Sequence, residues 1–215
     1  MLWLSGAALL FGYLVGSLPT AYLAARCAAQ RATDIRELGD GNVGAGNIGR
    51  IHGRWWGAGV GAVDIAKGAA PVFAINILVG LISTDAPESA DVLPELSGPG
   101  ILAGASAMAG HIWPVWLRFR GGRGAATALG VTGAVLTGPV LLMSLPALVI
   151  LLTTRSTTVT LAFIYIASII VAKAIFDISW STIWYCVAIF VTVGVVHFWT
   201  LKFRPNPSVE SAPAG

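Results

Sequence analysis

The sequence predicts an all-α integral membrane protein with about seven transmembrane helices. Of its 215 residues, 56% are hydrophobic and only 11% are charged, whereas soluble domains carry about 25% charged residues. The mean hydropathy is +0.79. The long apolar runs lack the alternation of a β-barrel, and lipid tolerates no other strand architecture, because backbone groups there must pair within a helix or a closed barrel. The composition excludes a disordered chain, and two distant cysteines exclude a disulfide framework.

The predicted spans are apolar runs of about 20 residues, the length at which a helix crosses a bilayer. Five runs qualify: residues 2–25, 55–82, 100–117, 156–176 and 179–201. The stretch 125–153 is too long for one span, and its centre carries the breaker Thr137-Gly138-Pro139. It predicts a hairpin of two short helices, the fourth and the fifth. We expect residues 1–205 to form a single helical membrane domain and residues 206–215 to form a flexible tail.

The distribution of basic residues predicts the orientation in the membrane. In the seven-span arrangement, eleven of the 13 Lys and Arg residues fall on one side: Arg26, Arg31, Arg36, Arg50, Arg54, Arg118, Arg120, Arg123, Arg155, Lys202 and Arg204. The connection 83–99 carries Asp85, Glu88, Asp91 and Glu95 but no basic residue. By the positive-inside rule, the N-terminus is outside and the C-terminus is cytoplasmic. No basic region precedes the first apolar run, which argues against a cleaved signal peptide.

The first basic connection, residues 34–50, is rich in glycine. It has five glycines within positions 39–49, interleaved with asparagines and flanked by arginines. Such a chain can turn its amides toward an anion, and arginines can hold phosphate oxygens bidentately. The alternative is a flexible loop with two arginines at its rim. The candidate site residues are Arg36, Gly41, Asn42, Asn47 and Arg50.

The second basic connection places three arginines around a Gly-Gly turn directly before a predicted helix. Amides and the helix dipole attract anions at such a position, although the segment lacks the Gly-Lys-Ser/Thr of a Walker A loop. The alternative is a charged turn between two spans. The candidate site residues are Arg120, Gly121, Gly122 and Arg123. Two such loops on one face favour a phosphate ligand, whereas no basic helix or aromatic module indicates nucleic-acid binding.

Four polar residues lie within or next to the apolar spans. Asp64 and Lys67 are three residues apart on one helical face, and charges in lipid are usually paired and often functional. The alternative is a neutralised pair that orients neighbouring loops, and the pair can do both. His111 either makes a structural hydrogen bond or assists proton transfer. Ser17 follows Gly16, which is suited to close helix packing.

These residues resemble the bacterial membrane acyl-phosphate:glycerol-3-phosphate acyltransferases, the PlsY type, over roughly residues 12–130. The motifs that carry the resemblance are Gly16-Ser17 with Pro19, Arg36, Gly39-x-Gly41-Asn42-x-Gly44-Ala45-x-Asn47-x-x-Arg50, Asp64-x-x-Lys67-Gly68, Gly110-His111-x-x-Pro114-Val115, and Phe119-Arg120-Gly121-Gly122-Arg123-Gly124-x-Ala126-Thr127. The resemblance implies seven spans, an outside N-terminus and an active site on the cytoplasmic face of the bacterial cell membrane.

The resemblance also implies the reaction, in which a fatty acyl group moves from acyl phosphate to the 1-hydroxyl of sn-glycerol 3-phosphate. The products are lysophosphatidic acid and phosphate, in the first step of phospholipid synthesis. Because a mixed anhydride is already activated, positioning and charge stabilisation suffice, and no metal or cofactor is expected. A phosphate oxygen of one substrate can then serve as the base.

The resemblance further implies roles for individual residues. Arg36, Arg50 and Arg123 would bind phosphates, Asn42 and Asn47 would bind the hydroxyl or the acyl carbonyl, and His111 would orient loops or assist proton transfer. The remaining substrate-binding residues would be Ser17, Gly41, Lys67, Arg120, Gly121, Gly122 and His197. Membrane lipid is the other expected partner, and no feature indicates an oligomeric state.

The chain departs from the family pattern at several positions, mainly in its C-terminal third. Asp40 and Gly46 replace a usual Ser and Thr, and Arg120 and Arg123 replace lysines. Asp40 adds a negative charge beside the predicted phosphate site, which is unfavourable unless an arginine neutralises it. Two further family motifs match poorly. The first has Thr160 and Phe163 in place of its two serines, and the second has His197 in the place of its histidine but Val196, Phe198 and Thr200 in place of its other residues.

These departures keep three other functions open. The first is a paralogue that acylates another phosphorylated alcohol. The second is a transporter of a phosphorylated metabolite, which predicts an inverted repeat that the sequence does not display. The third is a non-catalytic lipid-binding subunit.

Overall fold

The computed structural model describes residues 2–29, 34–82 and 97–203. Within these ranges the chain is entirely helical, with nine α-helices, two short 3-10 helices (Ile35–Glu37 and Val115–Leu117) and no strand. The α-helices are α1 (Leu2–Gly16), α2 (Thr20–Ala29), α3 (Ala45–His52), α4 (Arg54–Ile82), α5 (Gly98–Ile112), α6 (Ala125–Val135), α7 (Thr137–Thr154), α8 (Thr157–Ala174) and α9 (Trp180–Phe203). The predicted positions Arg31, 83–96, Arg204 and 206–215 lie outside the described residues.

Five described helical stretches are long and apolar enough to cross a membrane: Leu2–Ala28, Arg54–Ile82, Thr137–Thr154, Thr157–Ala174 and Trp180–Phe203. The all-helical membrane class is therefore supported, whereas the count of seven crossings and the orientation stay predictions. α7 to α9 expose large apolar side chains, with Leu145 69% and Trp184 65% accessible. Surfaces of this kind are suited to contact with lipid.

The stretch 125–153 forms two helices as expected, but only the first is short. α6 has 11 residues and α7 has 18, so the prediction of a short fifth helix is wrong. The physical reason is that Pro139 lies in the first turn of α7, where a missing N–H costs no helical hydrogen bond. Thr137-Gly138-Pro139 therefore forms the start of α7 and does not divide the stretch into two helices of equal length.

Proline also interrupts the first predicted span and shortens the third. α1 ends at Gly16 and α2 begins at Thr20, immediately after Pro19. α5 ends at Ile112, because the residue before Pro114 is disfavoured in the helical conformation. Both interruptions lie at the same place in the fold, since Tyr13 donates its hydroxyl to the carbonyl of Trp113 at 2.9 Å.

Close helix packing positions these interruptions next to α4. A side chain at Gly12 or Gly16 would collide with the backbone of α5, and one at Gly68 with the backbone of α6. Small residues at these positions let the helix backbones approach each other. Elsewhere α7 packs mainly against α8.

A small apolar cluster fixes the first glycine-rich loop. Ile35, Val43 and Ile48 from this loop and α3 are buried against α2, α4 and the segment that follows α5. The cluster members from those other elements are Ala21, Ala25, Val60 and Leu117. The loop is therefore anchored by its apolar residues, which leaves its polar residues for the site.

Candidate functional site

The two glycine-rich loops meet on one face of the helical bundle. Arg36 Nη1 in the first loop donates to the carbonyl of Leu117 beside the second loop at 3.3 Å. Arg123 Nη1 of the second loop lies 3.6 Å from Asp40 Oδ2 of the first. The two loops are therefore close enough to share one ligand, as their sequences predict.

Three residues form an arginine clamp, defined here as Asp40, Arg50 and Arg123. Asp40 Oδ2 lies 2.6 Å from Arg50 Nη2 and 3.6 Å from Arg123 Nη1. Its other oxygen, Oδ1, accepts the backbone N–H of Asn42 at 3.2 Å. The negative charge of Asp40 beside the predicted phosphate site is therefore neutralised, because two guanidinium groups compensate it.

The clamp reaches the C-terminal helix through Thr200. Arg123 Nε donates to Thr200 Oγ1 at 3.1 Å, and this hydroxyl donates to the carbonyl of His197 at 2.8 Å. In the sequence, Thr200 is only a substitution in a poorly matched motif. The structure places it in contact with Arg123, 77 positions earlier in the chain. The predicted substrate residue His197 itself has an exposed side chain one turn away.

Asn47 organises the first loop from within. Its side chain is fully buried, and Nδ2 donates to the carbonyls of Leu38 at 2.9 Å and Asn42 at 3.1 Å. Its Oδ1 accepts the backbone N–H of Asp40 at 3.2 Å. Both ends of the amide are used inside the loop, so Asn47 positions the loop, and its expected contact with the hydroxyl or the acyl carbonyl stays a prediction.

Asn42 differs from Asn47 in one respect that matters for chemistry. Its Oδ1 is buried and has no hydrogen-bond partner within the described residues. A buried acceptor left unpaired is uncommon and calls for a partner. Asn42 therefore has a free acceptor beside the clamp, whereas Asn47 has none.

The three glycines named as candidate site residues shape the loops, and their amides are engaged inside the protein. Gly41 donates its N–H to Leu38, Gly121 to Ile112 and Gly122 to His111, at 3.0, 3.0 and 3.2 Å respectively. Contrary to the sequence-based expectation, these amides do not face an anion. Glycine is needed at position 41 because φ is +66°, and at positions 121 and 122 because a side chain would collide with residues of α5 or Pro114.

Arg36 is held by Asp34, which is not among the predicted site residues. Its Nε donates to both carboxylate oxygens of Asp34, at 2.9 and 3.0 Å. These hydrogen bonds keep the pKa of Asp34 below its ordinary value. The Arg36 guanidinium also lies 6.0 Å from the ring centre of Tyr22. Arg36 is consequently more firmly engaged than Arg50. The predicted Arg120 is exposed and makes no side-chain ion pair among the described residues.

A buried cluster, defined here as Asp64, Lys67 and His111, lies beneath the loops. Lys67 Nζ is 2.9 Å from Asp64 Oδ1 and donates to the carbonyl of Leu18 at 2.9 Å. His111 Nδ1 lies 3.8 Å from the same Asp64 oxygen. A side chain at Gly122 would collide with the imidazole of His111. The cluster thus joins α4 to the α1–α2 break and to the second loop.

Ser17 belongs to the wall of this region. It is fully buried, donates its hydroxyl to the carbonyl of Leu14 at 2.9 Å and accepts Trp116 Nε1 at 3.1 Å. A narrow polar cleft opens beside it. The cleft is lined by Ser17, Leu18, Pro19, Thr20, Ala21, Val43, Asp64, Lys67, His111, Pro114, Leu117 and Gly122.

An apolar groove of about 450 Å³ runs between α2 and α4. It is lined by Thr20, Ala24, Trp55, Trp56, Gly59, Val60 and Val63. Thr20 lines both the groove and the polar cleft. The apolar groove and the polar cleft therefore lie next to each other.

The sequence and the structure of this chain are similar to known proteins. A family model described as glycerol-3-phosphate acyltransferase matches residues 6–208. Glycerol-3-phosphate acyltransferase 4 of Dehalococcoides mccartyi is 36% identical, over 92% of this chain and 96% of that protein. The glycerol-3-phosphate acyltransferase of Desulforudis audaxviator is 37% identical, over 90% of this chain and 85% of that protein.

The fold has a solved counterpart. It is the crystal structure of PlsY (YgiH), an integral membrane glycerol 3-phosphate acyltransferase, in its glycerol 3-phosphate form. The TM-score is 0.71 and the identity 27%, over 92% of this chain and 90% of the other. The similarity thus spans the described helices, including the C-terminal third.

Proposed function

This chain belongs to the glycerol-3-phosphate acyltransferase family, and we propose that it transfers a fatty acyl group from acyl phosphate to the 1-hydroxyl of sn-glycerol 3-phosphate. The bond between the acyl carbon and the phosphate oxygen breaks, and an ester bond to the hydroxyl oxygen forms. The hydroxyl proton passes to a phosphate oxygen. The products are lysophosphatidic acid and inorganic phosphate.

The observation that carries this proposal is the convergence of Arg50 and Arg123 at one carboxylate oxygen. Two guanidinium groups from separate loops, aimed at one oxygen, form a binding position for an oxyanion. Both substrates of the proposed reaction carry phosphate. Guanidinium groups held in place also stabilise charge that develops as phosphate leaves.

The acyl chain of the donor fits the apolar groove between α2 and α4. Trp55 and Val63 are 77% and 47% exposed along it, and burying such surface stabilises a bound alkyl chain by about 25 cal/mol per Å². Because Thr20 lines the groove and the polar cleft, an alkyl chain in the groove would hold its phosphate end next to the loops.

Asn42 is the residue we assign to the attacking hydroxyl. Its Oδ1 is unpaired and buried in the free protein. When the first loop shifts to admit the acceptor, this oxygen accepts the O–H hydrogen bond of the acceptor and orients the hydroxyl toward the acyl carbon. Orientation of this kind contributes strongly to a reaction between two bound substrates. His111 is placed to position the second loop, because its imidazole contacts Gly122 and its Nδ1 faces Asp64.

The orientation in the membrane belongs to the same proposal. The clamp, Arg36 and Arg120 lie in the two connections that the positive-inside rule assigns to the cytoplasm. We propose that the site opens to the cytoplasm of a bacterial cell membrane, with the N-terminus outside.

The test uses the full chain reconstituted in lipid vesicles with palmitoyl phosphate and glycerol 3-phosphate. We expect equal amounts of lysophosphatidate and released phosphate, and no product with Asn42→Ala, which should fold normally. Palmitoyl coenzyme A in place of palmitoyl phosphate tests the donor class and should give no product. Acylation of another phosphorylated alcohol only, or counterflow of glycerol 3-phosphate without acylation, would contradict the proposal in favour of a paralogue or a transporter.

A further inference from the structure

We infer that the carboxylate of Asp40 occupies, in the free protein, the position between Arg50 and Arg123 that a phosphate monoester takes when it binds. Asp40 is then a specificity-determining residue, because a ligand must carry enough negative charge to displace it. The inference rests on the proposed function only in naming the ligand.

The contacts of Asp40 are those of an oxyanion in a binding site. One oxygen, Oδ2, faces both guanidinium groups, at 2.6 Å from Arg50 and 3.6 Å from Arg123. Arg123 is fixed in this direction by its bond to Thr200 at 3.1 Å. The carboxylate therefore stands where two positioned cations point, which is also where a phosphate oxygen gains most.

The ion pairs of Asp40 are weak enough to exchange. The Arg50 side chain is 63% exposed, and an ion pair with so solvated a partner contributes little. Arg123 is only 19% exposed, but its contact with Asp40 is long, at 3.6 Å. The neighbouring pair of Asp34 and Arg36 shows the contrast, because Arg36 is bound bidentately and is also bonded to the Leu117 carbonyl. Arg36 keeps the Asp34 carboxylate, whereas Arg50 and Arg123 can exchange the Asp40 carboxylate for a ligand.

Only the side chain of Asp40 has to move. Its backbone N–H is anchored on Asn47 Oδ1 at 3.2 Å, and this bond does not depend on the carboxylate. Rotation of the side chain breaks the contacts with the two arginines and the bond from the Asn42 N–H to Oδ1. The Asn42 amide is therefore a reporter of whether Asp40 is in place.

Charge decides which anion is bound. A phosphate monoester carries about −1.5 to −2 near neutral pH, whereas the carboxylate carries −1. A phosphate monoester therefore gains more from two guanidinium groups than Asp40 does. The carboxylate competes with every ligand, and it does so most effectively against singly charged ones.

The experiment measures binding without turnover. Glycerol 3-phosphate and inorganic phosphate are titrated, by calorimetry, into the full chain in detergent with no acyl donor. We expect Asp40→Asn and Asp40→Ser to bind both probes roughly fivefold more tightly than the unmodified chain, because the internal competitor is gone. Both variants keep an oxygen that can accept the Asn42 N–H.

The matched control is Asp177→Asn, which also removes one carboxylate from an ion pair. Asp177 pairs with Lys173 and precedes α9, whereas Thr200 lies 20 residues into that helix, about 30 Å further along at 1.5 Å per residue. We expect this variant to bind the probes as the unmodified chain does.

Unchanged or weaker binding by both Asp40 variants would overturn the inference, since Asp40 would then orient the two arginines without competing with the ligand. Should neither variant fold, hydrogen exchange of the unmodified chain decides. Displacement of Asp40 by phosphate accelerates exchange of the Asn42 amide, and slower exchange contradicts displacement. A chain that binds phosphate more tightly without Asp40 but acylates nothing would refute the proposed function alone.

Discussion

The buried cluster and the arginine clamp contain the same kinds of charge but differ in their access to water. In the buried cluster, Asp64 and Lys67 are 2% and 5% exposed. In the clamp, the exposure rises from 19% for Arg123 to 63% for Arg50. A buried ion pair cannot exchange partners without leaving a charge unpaired. A partly exposed pair can exchange partners, because water solvates the charges meanwhile. Burial thus makes the clamp the region where an ion pair can be exchanged for a ligand, while the substrate contact expected of Lys67 stays a prediction.

The largest effect is expected from breaking the buried cluster. Asp64→Asn leaves Lys67 charged and buried without its partner, which should lower the free energy of unfolding by about 3–5 kcal/mol. The measurement is denaturant unfolding in detergent. In the double variant Asp64→Asn with Lys67→Met no charge remains, so most of the loss should be recovered. A single variant as stable as the unmodified chain would show that the pair does not hold the helices.

The clamp should behave in the opposite way. Arg123→Ala should reduce turnover by at least about a hundredfold, which is typical when a donor to developing negative charge is removed, while the unfolding free energy changes little. Steady-state rates and unfolding curves of the same preparation test both halves. Arg123→Lys keeps the charge but not the bond from Nε to Thr200, so an intermediate rate is expected. Equal rates for Arg123→Ala and the unmodified chain would remove Arg123 from the site.

The contact between the two regions gives the third prediction. Gly122→Ala inserts a methyl group against the His111 imidazole and the Val43 carbonyl and should lower turnover about tenfold, because small displacements of a loop disturb substrate alignment. Gly46→Ala is the control, since nothing lies within 4 Å of a side chain there. The ratio of the two rates is the measurement, and a ratio near one would mean that the close packing at Gly122 does not position the second loop.

The smallest effect is expected outside both regions. Arg120 is exposed and makes no described side-chain ion pair, so Arg120→Ala should lower kcat/KM by less than about threefold. Raising the ionic strength should abolish this difference, because exposed charges are screened. A larger loss that persists at high salt would place Arg120 in direct contact with a substrate.

The part of the site that could be predicted from the sequence is the part encoded in spacing. A separation of three residues places Asp64 and Lys67 on one helical face, and they do form an ion pair. Glycine and arginine in two connections predicted that the loops meet. The family resemblance is confirmed by the sequence and structural comparisons.

The rest of the site depends on the hydrogen-bond partners of its backbone and side-chain groups. The spacing of residues in the sequence does not specify these partners. The N–H groups of Gly121 and Gly122 could be expected to face an anion, yet they donate to the end of α5. Asn42 and Asn47 are equivalent in the sequence, and only the packing of the loop leaves one of them with a free oxygen. Thr200 reaches Arg123 through the tertiary fold alone.

In the proposed reaction, the proline that divides the first helix would also affect how the water-insoluble acyl donor arrives. Since one helix ends at Gly16 and another begins at Thr20, the second forms a separate wall opposite Trp55 and Val63. A molecule with an aliphatic tail can then slide in from the side while its tail stays among the lipids. Delivery would depend on diffusion within the plane of the bilayer, not on escape into water.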